Sequence, residues 1–403
     1  MSKRLFLLLG CAALLTPASA SAQASDDPAD LARFHVGALA LDPRFRIDDL
    51  GVDTNVFNTN VLPQKDLTAT IGPALDAYFH VDRLRLTSKS TVDWTYFQKA
   101  TKQRSVNWSQ EGRADLVLQT LTPHFDAKYE QTRQRPNLEI DQRVRQRSTV
   151  LAGGIMFHFG TRLGLDVEEH HRTLDFGDQN FGDQALANSL NRVEKSTNAT
   201  TTVELTPLTS LVVRAGWRRD RFDSHLRDSN SLLILPGFTF KPLAMLSGEA
   251  FVGYRNFRPQ TTALEPFQGV VSTVNLTYVA RDFLRLVMKV DRDVDYSFDS
   301  LTPYYIETGA GVTATQAIGR VWDVVGRLGR TQLAYRALSF APPELQSGLA
   351  RTDGIIALGA GLGRRLNERI RIGVDVDHAK RTSSVATRRY AGSRIGGSFT
   401  YGY

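Results

Sequence analysis

Three short stretches of the sequence carry residues of the kinds that bind metals or phosphates. His170-His171 offers two adjacent imidazoles, Asp291-x-Asp293-x-Asp295 spaces carboxylates like a calcium loop, and Gly359-x-Gly361-x-Gly363 is rich in glycine. The histidines lack acidic or cysteine partners at ligand spacing, and the aspartate triplet lacks the glycine and closing glutamate of a calcium loop. No helix follows the glycines, so no nucleotide loop is predicted. We predict neither a catalytic site nor a cofactor or metal site from these stretches.

Hydrolase motifs are missing as well. The chain contains neither G-x-S-x-G nor H-E-x-x-H, the local signatures of a nucleophile elbow and of a zinc protease. We therefore expect a protein that is not an enzyme. An outer-membrane lipase or protease stays open as an alternative, because such sites depend on geometry more than on local motifs.

The first 24 residues have the composition of a secretory signal peptide. Lys3 and Arg4 precede an apolar run from Leu5 to Leu15, and small residues follow up to Ala24. This run is too short for a membrane anchor and predicts cleavage before Ser25. A lipoprotein signal at Cys11 is the competing interpretation. Cys11 is the only cysteine, so the mature chain is expected to contain no disulfide.

Turn-like clusters recur about every forty residues after the signal peptide. Their middle residues are Asp82, Pro123, Thr161, Pro207, Pro242, Arg281, Gly319 and Asn367, separated by 41, 38, 46, 35, 39, 38 and 48 positions. Longer polar stretches, such as 131–147, 175–191, 336–351 and 379–389, lie between them. Short turns on one side and long loops on the other are the layout of a transmembrane β-barrel.

The segments between the turns alternate between apolar and charged residues. In 369–377, Ile370, Ile372, Val374 and Val376 alternate with Arg369, Arg371, Asp375 and Asp377. Unpaired charges are costly in a soluble core, whereas a barrel places them on a wet lumen and turns its apolar face to lipid. We predict an all-β, antiparallel, up-and-down transmembrane barrel of about eighteen strands over 44–403. Residues 25–43 would form a short periplasmic segment, or an early start of the first strand.

The predicted register separates the barrel residues into functional groups. Pore-lining candidates are Arg85, Lys89, Arg113, Arg214, Arg218, Arg285, Lys289, Arg327, Arg369, Arg371 and Arg394. Inward acids are nearly as numerous, which favours cross-strand pairing over an all-cationic tunnel. Lys380, Arg381, Arg388 and Arg389 are predicted in a basic extracellular loop that faces lipopolysaccharide phosphates or an anionic polymer. Whether loop 175–191 folds inward as a plug is left open.

The terminal strand ends in alternating aromatics. Phe399, Tyr401 and Tyr403 share one face, and such a strand resembles the signal that the outer-membrane barrel assembly machinery recognises. Trp94, Tyr96, Trp217, Tyr254 and Tyr278 fall on outward faces near strand ends, where barrels carry aromatic girdles. Together with the signal peptide, these features predict insertion in the outer membrane of a Gram-negative bacterium.

Several segments resemble a family of outer-membrane β-barrel porins encoded beside exopolysaccharide genes. Gly51-Val52-Asp53-Thr54-Asn55-Val56-Phe57, Phe251-Val252-Gly253-Tyr254-Arg255 and Asp291 to Phe298 carry the resemblance, which covers nearly the whole mature chain. The resemblance implies a porin-like channel for exopolysaccharide export or for small solutes, with the polymer and its export machinery as partners. A plugged structural barrel that anchors an envelope complex is the alternative. Nucleic acid is not an expected partner of an exported barrel.

Overall fold

The computed structural model describes residues 27–182, 184–242, 245–280, 283–339 and 351–402. The predicted signal peptide, 1–24, and Tyr403 of the predicted assembly signal lie outside these residues. Among the residues described, no helix is long and apolar enough to cross a membrane.

Eighteen long strands make up the fold. In chain order they are β1 (Leu39–Asp53), β2 (Asp66–Val81), β3 (Leu84–Phe97), β4 (Ser105–Leu116), β5 (Leu121–Gln134), β6 (Val144–Phe159), β7 (Leu163–Phe176), β8 (Arg192–Thr206), β9 (Thr209–Phe222), β10 (Ser229–Phe240), β11 (Leu246–Pro259), β12 (Phe267–Ala280), β13 (Leu284–Tyr296), β14 (Tyr304–Ile318), β15 (Trp322–Arg336), β16 (Thr352–Arg365), β17 (Ile370–Thr382) and β18 (Tyr390–Tyr401). Short strands Phe34–Val36, Asn180–Phe181 and Gln184–Ala185, helix α1 (Leu186–Leu190) and 3₁₀ turns Thr101–Gln103 and Ala386–Arg388 complete the elements.

The sheet closes on itself. Each strand pairs antiparallel with its neighbours in the chain, and β1 pairs with β18 from Phe45 opposite Tyr401 to Asp53 opposite Arg394. Closure leaves no open sheet edge, which lipid does not tolerate. A bulge at Asp49, whose φ is 59°, interrupts the β1 ladder. The prediction of an up-and-down antiparallel barrel of eighteen strands is confirmed.

The connections differ in length at the two ends of the barrel. The described residues of the short turns are 82–83, 117–120, 160–162, 207–208, 241–242 with 245, 283, 319–321 and 366–369. The other end carries loops 54–65, 98–104, 135–143, 177–191 (described without 183), 223–228, 260–266, 297–303, 383–389 and the described residues 337–339 and 351. By the layout of outer-membrane barrels, the turn end is periplasmic and the loop end extracellular.

Two boundaries differ from the sequence prediction. The first strand begins at Leu39, before residue 44, and the short strand Phe34–Val36 folds back on it. The turn expected at Pro123 lies at 117–120 instead, and Pro123 is part of β5. β5 pairs with β4 from His124 onward, so the missing N–H of Pro123 costs no ladder bond to β4.

The two faces of the sheet have opposite polarity. On β17, Ile372, Val374 and Val376 are exposed outward, whereas Arg371 and Asp375 form ion pairs inside. Side chains alternate because the strand period is two, so one sequence pattern produces a lipid-facing wall and a charged lumen. Three of the predicted girdle aromatics, Trp94, Trp217 and Tyr254, are likewise exposed on the outer face.

The segment before β1 folds into the periplasmic mouth. Ala29 and Ala32 are buried against Ala40 and Tyr78, two inward residues of β1 and β2. Arg33 donates from Nη1 to the Pro43 carbonyl at 2.6 Å and from Nη2 to the Gly402 carbonyl. The guanidinium therefore ties the start of the first strand to the end of the last.

Candidate functional site: the barrel lumen

Ion pairs between strands cover the inner wall. Inward residues of neighbouring strands stand opposite each other, so long basic side chains reach carboxylates one or two strands away. The pairs include Arg46–Asp93 at 2.9 Å, Arg113–Asp126 at 2.9 Å, Arg214–Glu249 at 2.9 Å, Arg255–Asp293 at 2.7 Å, Arg327–Asp375 at 2.8 Å, Arg371–Asp323 at 2.5 Å and Arg394–Asp53 at 3.1 Å. The wall is thus charged but nearly balanced.

A cavity of about 1820 Å³ occupies much of the lumen. It runs from the periplasmic turn Gly160–Arg162 to the underside of loop 135–143, where Pro136, Asn137 and Leu138 bound it. Lining side chains of both signs come from strands on all sides of the barrel. A space of this size and polarity suits hydrated solutes.

The eleven predicted pore-lining residues fall into three groups. Those that line the cavity are Lys89, Arg113, Arg214, Arg218, Lys289 and Arg327. Four residues face inward but do not line the cavity. Arg371 and Arg394 pair with inward carboxylates, and Arg85 and Arg285 share the inward register of their strands. Arg369 is exposed in the periplasmic turn 366–369, after the end of β16. The residues that the alternation predicts to face inward therefore do so within the strands. The exception is Arg369, which lies just before β17 begins.

The predicted basic loop is only partly a loop. Lys380 and Arg381 belong to β17, which extends to Thr382 because Arg381 pairs with Ile355 of β16. Lys380 is exposed on the outer face and Arg381 is buried inside. The prediction that these two lie in an extracellular loop is therefore wrong.

Arg388 and Arg389 do lie in loop 383–389, but both side chains contact other residues of the chain. The Arg388 guanidinium lies 4.5 Å from the ring centre of Phe181 and 4.7 Å from that of Phe298. Arg389 Nε donates to the Ser383 carbonyl at 2.7 Å. Cations stacked on rings in this way are held at the protein rather than free in solution.

Loop 135–143 crosses the lumen. It leaves β5 and returns to β6, yet Leu138 packs on Tyr305, Leu333, Tyr335 and Ile355, which belong to strands β14 to β16 on the far side. On its near side, Arg135 Nη2 donates to the Val56 carbonyl of loop 54–65 at 2.9 Å. The loop thus divides the extracellular end of the lumen.

Arg381 holds this loop against the wall. Its Nη1 donates to the carbonyls of Leu138 and Glu139 at 3.0 and 3.1 Å and to Asp141 Oδ2 at 2.9 Å. Its Nη2 donates to Asp353 Oδ2 at 2.6 Å and to the Tyr335 hydroxyl at 3.3 Å. One buried guanidinium therefore joins β15, β16 and β17 to three residues of the crossing loop.

Glu139 is fully buried at the centre of the loop. Its carboxylate accepts hydrogen bonds from Ser297 Oγ at 2.6 Å and from the Phe298 amide at 3.1 Å. Burial raises the pKa of Glu139 to about 7, against the lowering effect of these bonds and of Arg388 and Arg381. Burial likewise raises the pKa of Asp141 to about 6, although Arg381 opposes the shift.

Loop residues also build an apolar cluster at the extracellular end. Ile140, Leu186, Leu190, Leu264, Phe298 and Leu338 come from five different loops and pack with inward aromatics such as Phe222, Phe257 and Tyr296. Loop 177–191 therefore does fold inward, through α1, but as one contributor among several. Apolar residues inside otherwise polar loops, such as Leu138 and Ile140, are the sequence signal that identifies them.

A cluster of one histidine and two carboxylates on the periplasmic half of the wall offers ligand atoms for a metal. His124, Asp126 and Glu168 have such atoms within 4.8 Å of one another. Both His124 nitrogens already face carboxylates, at 3.3 Å from Asp126 and 3.0 Å from Asp166, and Asp126 also pairs with Arg113. Internal pairing accounts for this cluster, and we assign no metal to it.

Comparison with solved structures finds large outer-membrane barrels at very low identity. A BenF-like porin from Pseudomonas fluorescens Pf-5 is 8% identical with a TM-score of 0.48, over 91% of this chain and 100% of that chain. The outer membrane protein opdK from Pseudomonas aeruginosa is 9% identical with a TM-score of 0.47, over 90% of this chain and 98% of that chain. The FrpB iron transporter (F5-1 variant) from Neisseria meningitidis is 8% identical with a TM-score of 0.47, over 86% of this chain and 64% of that chain. No curated protein matches the sequence.

Comparison with family models identifies the family over nearly the whole chain. The model for putative beta-barrel porin 2 matches residues 27–401, a span that contains all eighteen barrel strands. The match agrees with the charged lumen, the apolar outer wall and the closed ladder. This chain is therefore a porin-like outer-membrane β-barrel and belongs to the putative beta-barrel porin 2 family.

Proposed function

We propose that the barrel conducts small hydrophilic solutes across the outer membrane through a passage that loop 135–143 narrows. The observation that carries this proposal is the 1820 Å³ cavity, lined by paired charges, that reaches from the periplasmic turns to this loop. A purely structural barrel has no need of a large polar lumen. A balanced wall interacts with solutes of either sign without holding them tightly.

Single-channel recording in planar bilayers tests the proposal. The purified protein is compared with a variant in which residues 136–142 are replaced by a Gly-Ser linker of equal length. We expect small conductance steps for the native protein and steps several times larger for the variant, because conductance follows the narrowest section. The absence of conductance steps from both proteins would contradict a channel. Conductance steps of equal size from both would show that the narrowest section lies outside loop 135–143.

A plugged structural barrel is the second candidate, and the Arg381 network favours it. Three hydrogen bonds from one buried guanidinium fasten the crossing loop, and two more bind the guanidinium to the wall. The apolar cluster closes on the loop from above. Silence from the native protein combined with steps from the linker variant would support this candidate, with the loop as a fixed plug.

Exopolysaccharide export is a further proposal, and it depends on the sequence resemblance alone. A balanced wall suits a neutral or weakly charged polymer better than a strongly acidic one, which an all-cationic tunnel would favour. The export machinery would then be a partner on the periplasmic side. Deletion of the gene tests this: polymer that accumulates in the periplasm supports export, and unchanged surface polymer contradicts it.

Among the residues that the structure describes, a serine–histidine contact on the outer wall lacks the third member of a triad, which disfavours an enzyme. His378 Nδ1 lies 2.9 Å from Ser393 Oγ, a pairing that a nucleophile needs. The residue opposite His378 on β16 is Leu358, which cannot orient an imidazole as the third member of a triad does. A lipid hydrolysis assay in which Ser393→Ala loses activity would revive the enzyme alternative.

A further inference from the structure

Five polar residues form one continuous row across the outer face of β7 to β11. Direct cross-strand pairing connects His171 to Lys195, Lys195 to Arg219, Arg219 to Asn230 and Asn230 to Arg258. Lys195, Arg219 and Arg258 are exposed, and the neighbouring residues Glu194, Asp220 and Phe257 are buried on the inner face. Strands lie about 4.8 Å apart, so the row spans roughly 19 Å.

The row places like charges directly opposite each other. Lys195 stands opposite Arg219, and like charges in directly opposite positions destabilise a sheet. Arg133 opposite Arg145 on the adjoining strands repeats the arrangement. Glu169, which stands opposite Thr197 on this face, accepts a hydrogen bond from Thr197 Oγ. An anion from outside the chain would remove this repulsion.

The residues below Arg219 and Asn230 indicate the depth of the middle of the row in the wall. Two residues nearer the periplasm on the same strands are Trp217 and Leu232, which are 40% and 46% exposed. The Arg219 guanidinium stacks over Trp217, 4.5 Å from its ring centre. Outward tryptophan marks the boundary between hydrocarbon and headgroups, so Arg219, two residues or about 7 Å further along its strand, lies at the level of headgroup phosphates.

We propose that this row, formed by His171, Lys195, Arg219, Asn230 and Arg258, binds the phosphate groups of a glycolipid of the outer leaflet. Arginine and lysine donate charge-assisted hydrogen bonds to phosphate oxygens, and the amide of Asn230 adds a neutral donor. The apolar wall below the row accommodates the acyl chains. The site serves the lipid surface of the barrel and does not depend on conduction through the lumen.

The test compares two triple variants of the full chain, purified in detergent free of glycolipid. Lys195→Gln, Arg219→Gln and Arg258→Gln remove three cations from the row. The control, Arg83→Gln, Arg320→Gln and Arg369→Gln, removes three exposed cations from the periplasmic turns. Binding of bisphosphorylated lipid A is followed by native mass spectrometry and by the shift in melting temperature, and dephosphorylated lipid A and inorganic phosphate serve as the other probes.

We expect native protein and control to bind bisphosphorylated lipid A and to gain several degrees of melting temperature. Affinity should fall by about tenfold for each cation lost from the row, as expected for a charged hydrogen bond. Equal binding by the row variant, equal binding of the dephosphorylated lipid, or equal protection by inorganic phosphate would each overturn the proposal. If the triple variant fails to fold, Arg219→Gln against Arg219→Lys makes the same comparison, with binding retained only by lysine.

Discussion

Arg381 of β17 and Asp353 of β16 form an ion pair in which Nη2 and Oδ2 are 2.6 Å apart and neither side chain is exposed to solvent. Removing two charges from water is costly, and such a pair persists only where further hydrogen bonds satisfy it. Here the additional acceptors are two loop carbonyls, Asp141 and Tyr335. The pair is therefore best understood as the wall anchor of loop 135–143.

Arg381→Gln should release this loop. The substitution leaves the buried Asp353 carboxylate with Arg351, whose Nε is 3.6 Å from Asp353 Oδ1, as its remaining ion-pair partner. Breaking a buried pair costs about 3–5 kcal/mol. We expect larger and noisier conductance steps, new proteolytic cleavage within 135–143 and a lower melting temperature. Lys380→Gln is the matched control, because this neighbouring cation is exposed on the outer face. Identical conductance and cleavage for both variants would show that Arg381 does not hold the loop.

Closure of the loop should depend on pH through Glu139. The pKa of Glu139 is about 7 when the loop is packed, against the ordinary value of 4.5 for a released loop. Between these two pH values the packed loop binds a proton that the released loop gives up. The resulting stabilisation is complete below about pH 4.5 and is lost as the pH rises through about 7. Asp141, raised to about 6, adds to the same trend.

We therefore expect channel opening to increase from pH 5 to pH 8. The groups that face Glu139, among them Ser297, Arg381, Arg388 and Arg227, do not change charge over this range. Glu139→Gln should keep the loop packed and flatten the profile, measured as open probability against pH. A native profile that is flat, or that falls with rising pH, would contradict the prediction.

Ion selectivity should be weak and set by cavity residues. Lys289 and Asp291 both line the cavity from β13, two residues apart. Fixed charges act within about a Debye length, ~8 Å at physiological salt, so Lys289→Gln should shift the reversal potential in a KCl gradient toward cation preference and Asp291→Asn toward anion preference. We expect roughly twofold changes in the permeability ratio.

Arg388→Gln with Arg389→Gln tests the competing location of the selectivity. The basic extracellular loop predicted from the sequence would place a selective charge at the mouth of the channel, but Lys380 faces outward, Arg381 is buried and Arg388 stacks on two rings. A larger shift from this loop variant than from Lys289→Gln would restore the extracellular loop as the determinant.

The aromatic face of β18 should be needed for assembly. Phe399 packs edge to face on Phe45 of β1, with ring centres 6.3 Å apart, at the seam that closes the barrel. A carboxylate near a membrane interface costs about 1 kcal/mol or less, so a strong loss of folded protein in Phe399→Asp would come from failed recognition or closure. Tyr401→Phe keeps the aromatic face and should be tolerated.

Heat-modifiable mobility of the membrane fraction measures this loss. Ser393→Asp is the control, because it places the same charge on the outer face of β18 near the opposite interface. Equal amounts of folded barrel for Phe399→Asp and Ser393→Asp would mean that the periplasmic end of the strand carries no assembly signal.

The local alternation of the sequence determined the wall of this protein. A period of two assigns each residue of a strand to one face. The alternation alone therefore predicts that Arg371 and Asp375 face inward and that Ile372 and Val374 face outward, as the structure shows. Regular turns at intervals of about forty residues set the strand number and the two ends. These are properties of consecutive residues and need no long-range information.

Only the tertiary structure decided what closes the lumen. Leu138 reaches Tyr305 and Tyr335, and Arg381 reaches Asp141 across 240 residues of chain. A loop has no period from which a direction can be derived, so its path depends on partners that the barrel brings together. For the same reason the burial of Arg381 could not be predicted from the sequence: an arginine at a strand end is expected to be exposed, and here the crossing loop covers it against the wall.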